Sequence, residues 1–154
     1  MSAATDSTSA RDADRLGPDE LRAWRGLLRV HAALTTALDT DLRREHGISV
    51  PAYEVLMFVG DADGGKLRMA DVADRVLLSR SGLTRLVDRL VQDGLVERRA
   101  CDDDGRGSFA LLTPAGRAKL DAARRTHLEG VRRLFLDRFT PAEQRGLGDL
   151  WDRL

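Results

Sequence analysis

The chain has 154 residues, of which 42% are hydrophobic and 32% charged, a composition typical of an ordinary globular domain. Its 25 Lys and Arg residues balance 25 Asp and Glu residues, which excludes general polycation binding to nucleic acid. A single cysteine, Cys101, excludes an internal disulfide. Because the sequence also shows no signal-peptide pattern and no run of about 18 apolar residues, we expect a cytoplasmic protein.

The first 17 residues offer little to bury and are predicted to be a disordered tail, followed by a single domain over residues 18–154. From Pro18 onward, apolar residues recur at spacings of three and four, which predicts a long amphipathic helix. Gly47 is expected to end it. The stripe includes Leu21, Trp24, Leu28, His31, Leu38 and Leu42.

Three short helices are predicted next, over residues 51–60, over residues 67–76 and from the capping residue Ser79 to Gly94. Residues 95–99 and 108–113 are strand candidates that form a hairpin around a polar, glycine-containing loop. A long helix then runs from Pro114 to about Phe139. A capping box over residues 140–143 opens a final short helix.

This order is mainly α with a small β component (α+β), and residues 50–113 have the arrangement of a winged helix-turn-helix lobe. The third short helix would bury its leucines and turn its polar face outward. A helix about 10–12 Å across fits the major groove of DNA, which is about 12 Å wide. We therefore predict DNA contacts by Ser79, Arg80, Ser81, Thr84, Arg85 and Arg89.

Two other interpretations of this helix stay open. Its charged residues can pair with one another on a solvated face, for instance Arg85 with Asp88. Alternatively, the lobe can be a winged-helix module that binds protein without binding DNA, although an outward face rich in Arg, Ser and Thr is not typical of such interfaces.

Five segments carry a closer resemblance: residues 68–75 (RMADVADR), 79–90 (SRSGLTRLVDRL), 94–99 (GLVERR), 104–106 (DGR) and 112–116 (LTPAG). In this order they resemble the MarR family of winged-helix transcription regulators over nearly the whole chain after Pro18. The resemblance implies a homodimer that binds double-stranded DNA sequence-specifically. It also implies that this homodimer is a repressor acting on a pseudo-palindromic operator.

The resemblance also implies roles for individual residues. In such families an arginine of the wing enters the minor groove, here Arg106, and Asp104 orients the hairpin. Arg98 and Arg99 are expected to make backbone or minor-groove contacts. Residues 18–49 and 114–154 are expected to be dimerisation helices, with an interface that includes Leu21, Leu28, Leu134, Phe135, Leu147, Leu150 and Trp151.

Regulators of this family commonly respond to small aromatic or phenolic ligands, which implies an effector pocket. Its candidate lining residues are Trp24, His31, Tyr53 and Met57, although residues of these types on an apolar face usually pack in a core, and that interpretation is favoured for each of them. An oxidation sensor at Cys101 is a weaker alternative, because the three aspartates that follow this residue disfavour a reactive thiolate.

An enzyme finds little support. The chain has no Gly-x-Ser-x-Gly nucleophile motif and no Walker loop for phosphate binding. Its three histidines are not spaced as adjacent metal ligands. We expect no catalytic residues, no metal and no cofactor.

Overall fold

The structure is a computed structural model that describes residues 15–76, 78–100 and 107–154. The predictions for Cys101, Asp104 and Arg106 lie outside these residues. The chain divides into two units, of which the first ends at Ala33 and the second comprises residues 34–154.

Helix α1 (Pro18–His46) is the predicted long amphipathic helix. It ends as expected at Gly47, which adopts a φ of 70°, a left-handed conformation that costs glycine no steric strain. The backbone N–H of Gly47 donates to the carbonyl of Arg43 at 3.0 Å, which closes the last turn.

Three short helices follow. Ser79 caps the third of them, because its Oγ accepts a hydrogen bond from the backbone N–H of Gly82 at 3.1 Å. At the other end Gly94 has a φ of 70°, and the N–H of Leu95 donates to the carbonyl of Leu90 at 2.9 Å. The helices are α2 (Val50–Gly60), α3 (Met69–Arg75) and α4 (Arg80–Gln92).

A three-stranded antiparallel sheet has the strand order β1-β3-β2. The predicted hairpin is confirmed, but β1 corrects the prediction of one helix over residues 67–76. Leu67 pairs with Ala110 in β3, and this long-range pairing overrides the helical pattern at the start of the segment. The strands are β1 (Lys66–Arg68), β2 (Val96–Ala100) and β3 (Ser108–Leu112).

Helix α5 (Pro114–Leu134) is shorter than predicted. Phe135 breaks it with φ −129° and ψ −66°, and a 3-10 turn follows instead of the expected continuation to Phe139. The capping box predicted for the last helix is present, because Thr140 and Glu143 exchange side-chain and backbone hydrogen bonds. That helix, α6, spans Pro141–Trp151.

The core of the second unit is aliphatic, and no polar or charged residue is buried in the described part of the chain. Apolar burial therefore holds the helices on the sheet. Helix α5 approaches the turn between α4 and β2 so closely that a Cβ added to Gly116 would lie 1.9 Å from the carbonyl oxygen of Leu95. The largest fully buried side chains are Leu42, Val55, Leu56, Val59, Val72, Val87, Val96 and Leu120.

Helices α3 and α4 are the two helices of a helix-turn-helix, and β2 and β3 are the strands of a wing. The order of elements confirms the predicted mainly α (α+β) winged helix-turn-helix architecture. None of the helices in the described ranges is both long enough and apolar enough to cross a lipid bilayer.

Candidate nucleic-acid interface

Helix α4 has one face in the core and the other at the surface. Leu83, Val87 and Leu90 are buried at spacings of four and three residues, as the pattern of the helix predicts. The six residues predicted to contact DNA all lie on the exposed side: Ser79, Arg80, Ser81, Thr84, Arg85 and Arg89. The structure therefore brings these polar side chains together on one accessible surface.

The hydroxyl groups at the start of α4 are held in place by local hydrogen bonds. Ser79 Oγ caps the helix and lies 3.3 Å from Ser81 Oγ. Thr84 Oγ1 donates to the carbonyl of Arg80 at 3.0 Å. These local hydrogen bonds order the hydroxyl groups before any ligand binds. Each hydroxyl oxygen can still accept a further hydrogen bond.

The charge balance of α4 depends on a contact with the wing. Asp88 is the one acidic residue in the sequence of this helix, and its Oδ1 lies 3.0 Å from Nη2 of Arg98 on β2. In residues 15–76, 78–100 and 107–154, Arg80, Arg85 and Arg89 make no ion pair. The solvated-face interpretation, with Arg85 bound to Asp88, is therefore not what the structure shows.

The two wing arginines have different surroundings. Arg98 is one-third exposed and also donates to the carbonyl of Thr84 at 3.4 Å, so both of its partners lie on α4. Arg99 points to the other face of the sheet and pairs with Glu97 at 3.4 Å, where both side chains are mostly exposed. The contact between Arg98 and α4 was missed by the sequence analysis, because no local pattern signals a pairing between a strand and a helix.

The four candidate effector residues fall in both units. In the first unit Trp24 and His31 are exposed. In the second unit Met57 is half-buried, whereas Tyr53 is buried with its ring centroid 4.5 Å from that of His127. Burial raises the pKa of Tyr53 and lowers the pKa of His127, and both groups are therefore kept neutral near pH 7.

Three of the seven residues predicted to form a dimer interface are exposed, and the other four are half-buried. Leu28 in the first unit, and Leu150 and Trp151 on α6, are each about half exposed, at 49%, 50% and 47%. None of the residues of α6 is buried. The remaining predicted interface residues are half-buried: Leu21, Leu134, Phe135 and Leu147.

Among the described residues, no group of three or more His, Cys, Asp or Glu side chains is placed to hold a metal ion.

Two cations on β1, Lys66 and Arg68, lie beside the ring of Phe109 and were not predicted from the sequence. Charged and apolar residues alternate over residues 66–68, which is a strand pattern, but residues 67 and 68 were assigned to a predicted helix.

Comparisons with known proteins agree on one family. The MarR family model matches residues 46–107. The structure of Sco3205, a MarR family transcriptional regulator from Streptomyces coelicolor in complex with DNA, is 33% identical with a TM-score of 0.85, covering 90% of this chain and 87% of that chain. AbsC, a MarR family transcriptional regulator from the same organism, is 33% identical with a TM-score of 0.83, covering 88% of this chain and 91% of that chain.

Among curated relatives, the HTH-type transcriptional repressor YetL of Bacillus subtilis is 30% identical over 112 residues. The alignment covers 70% of this chain and 66% of YetL, just under two thirds of that relative. The match to AbsC and Sco3205 extends over nearly their whole length, and the family model matches the helix-turn-helix lobe. The chain therefore belongs to the MarR family of winged-helix DNA-binding transcriptional regulators, which are not enzymes.

Proposed function

We propose that the chain is a sequence-specific repressor that reads double-stranded DNA with α4. The observation that carries this proposal is the exposed face of α4, on which Arg80, Arg85 and Arg89 are unopposed because Asp88 is paired with Arg98. Guanidinium groups bind guanine edges in pairs of hydrogen bonds and also neutralise phosphates. An ordered helix with three such groups suits the major groove.

The residues of this face have distinct proposed tasks. Ser79, Ser81 and Thr84 and the first two arginines of α4 lie near its N-terminus, where side chains of a recognition helix reach base edges. Arg89, two turns later, is placed to bind phosphate. Of the wing residues, Arg99, Asp104 and Arg106 are proposed to act at the DNA backbone or minor groove, and Arg98 to orient α4.

We infer that two copies bind one operator. The support is the exposure of large apolar side chains in each unit, Trp24 and Leu28 in the first and Leu150 and Trp151 in the second, which is unusual on a monomer and typical of an interface. A two-fold dimer would place its recognition helices about 10 base pairs apart on a pseudo-palindromic site. Sedimentation equilibrium should give twice the 17.0 kDa mass of one chain, and a single-chain mass at micromolar concentration would contradict the dimer.

Repression and its release are the further parts of the proposal. The name of YetL, a transcriptional repressor, favours repression over activation. A small aromatic or phenolic ligand that prefers a conformation unable to bind DNA would lower DNA affinity by its difference in binding energy, about 1–3 kcal/mol. Such a regulator acts on chromosomal DNA, so we infer that it works in the cytoplasm.

The decisive experiment is selection of bound fragments from random duplexes at 0.1 M salt. The proposal expects enrichment of one motif with two-fold symmetry and half-sites about one helical turn apart. In vitro transcription from a promoter that contains this motif should then fall as protein is added. Retention of all duplexes alike, or of none, would contradict sequence-specific binding.

A further inference from the structure

One face of the sheet, here called the outer sheet face, carries cations around an aromatic ring. Arg98 on β2 points toward α4, where it contacts Asp88. Because successive side chains of a strand point to opposite faces, Arg99 points away from α4. The strand register places Arg99 and Arg68 on either side of Phe109, so all three share that outward face.

The cations of β1 lie against this ring. Lys66 shares the face of Arg68, because the two residues are two positions apart in β1. Lys66 Nζ lies 5.2 Å and Arg68 Cζ lies 5.4 Å from the centroid of the Phe109 ring. Contact with the ring face holds both long side chains near the sheet and reduces the entropy that they would lose on binding an anion. The outer sheet face thus consists of Lys66, Arg68, Arg99 and Phe109, together with Leu111 and Glu97, which the same register places beside them.

Most of the positive charge of this face is free to bind an anion. In the described part of the chain neither Lys66 nor Arg68 makes an ion pair. The partner of Arg99 is Glu97 at 3.4 Å, and the two side chains are 68% and 55% exposed. An ion pair with this exposure is weak, so a phosphate can replace the carboxylate. A chain with no net charge therefore concentrates cations here, on a surface separate from α4.

We propose that the outer sheet face binds the sugar-phosphate backbone of duplex DNA that flanks the base pairs read by α4. This inference rests on the proposed function. Two observations favour the DNA backbone as the ligand. The positive charge of the face complements phosphate, and Arg99 lies on a wing strand while the face itself is turned away from α4. The phosphates that it binds therefore lie outside the half-site and carry no sequence information.

The test compares two duplexes that share one selected operator. The first duplex ends at the edges of the operator, and the second extends it by about one helical turn of unrelated sequence on each side. The variant is Lys66→Gln with Arg68→Gln, which removes two exposed cations and no buried contact. The wild type should bind the longer duplex more tightly and with a steeper dependence on salt.

The variant should bind the longer duplex no more tightly than the short one. On the longer duplex the slope of log K against log salt should become shallower by about one unit for each cation removed, while the short duplex is bound as by the wild type. Arg75→Gln is the matched control, because Arg75 on α3 also lies over a phenyl ring, with its Cζ 5.8 Å from the centroid of Phe58. Its effect should be the same on both duplexes.

The outcomes separate the two proposals. An equal gain from the longer duplex in wild type and variant would overturn the role of the outer sheet face, and so would an equal loss on both duplexes. Failure of the wild type to bind either duplex would instead contradict the proposed function. Unchanged thermal unfolding of the variant checks that its fold is intact.

Discussion

Arg98 on β2 binds Asp88 on α4, with Nη2 and Oδ1 3.0 Å apart, and the same nitrogen donates to the carbonyl of Thr84 at 3.4 Å. A wing strand is thereby connected to the middle of α4. The contact pairs the one acidic residue of α4 with a cation of the wing. It adds to the burial of Leu83, Val87 and Leu90 in setting the orientation of α4 relative to the wing.

Arg98→Ala should weaken operator binding through loss of this orientation, with an unchanged slope of log K against log salt. Loss of a phosphate contact would instead reduce the slope by about one unit. A double-mutant cycle with Asp88→Ala, measured by urea unfolding, should give a coupling of about 0.2–1 kcal/mol, as for other partly exposed ion pairs. A coupling of zero with a reduced salt slope would make Arg98 a DNA contact.

Arg85 and Arg89 allow base reading and phosphate binding to be separated on one helix. We expect Arg85→Ala to cost about 1–3 kcal/mol of binding free energy on the operator and to relax specificity at one base pair. Arg89→Ala should weaken all sequences alike and reduce the salt slope by about one unit. Titrations on the operator and its single-base variants provide the measurement. Identical behaviour of both variants on every duplex would refute this division.

The N-cap of α4 should contribute measurably to stability. Ser79→Ala removes the acceptor for the N–H of Gly82 and should lower the free energy of unfolding by about 0.5–2 kcal/mol. Ser81→Ala is the matched control, since Ser79 Oγ is the one hydrogen-bond partner of the Ser81 hydroxyl among the described residues, and loss of that hydroxyl should cost less than about 0.5 kcal/mol. Equal losses in the two variants would show that the cap is not the cause.

Gly116→Ala should destabilise the lobe strongly. The added Cβ would lie 1.9 Å from the carbonyl oxygen of Leu95, and this backbone atom has no rotamer by which to move away. Overpacking of this kind costs about 1–3 kcal/mol, occasionally more. Gly146→Ala on α6 meets no atom within 4 Å and should instead stabilise the chain by about 0.4–1 kcal/mol. Thermal unfolding of both variants checks the contrast, and a neutral Gly116→Ala would contradict the close approach of α5.

His127 should make stability depend on pH. Burial lowers its pKa in the folded chain below the ordinary value near 6.5, so the unfolded chain binds more protons between these two values. The stabilising contribution of neutral His127 is therefore complete above about pH 6.5 and declines as the pH falls through that value toward the lowered pKa.

Replacement of the imidazole isolates this effect. His127→Phe keeps a ring against Tyr53 and removes the titrating group, so the free energy of unfolding should fall less in the variant than in the wild type between pH 7.5 and 5.5. Urea unfolding at both pH values measures the difference. Parallel pH dependences in the two proteins would refute the assignment to His127.

Much of this architecture could be read from short-range patterns. The spacing of leucines along α4 predicted which side would be buried, and Ser79, Gly94 and the capping box at Thr140 marked helix ends at the right places. These signals act over about four residues, because helical hydrogen bonds and caps join groups within one turn. The exposed polar face of α4 follows directly from them.

Other features depended on residues that are distant in sequence. Strand β1 exists because Leu67 pairs with Ala110, and the end of α5 at Phe135 was not visible in the periodicity of the helix. The partner of Asp88 and the ring beneath Lys66 also come from other elements. Local sequence thus set where most helices lie and which side of each is apolar, but not every helix boundary. Tertiary packing decided which charges are neutralised, because ion pairs and strand pairings join groups that only the folded chain brings within contact distance.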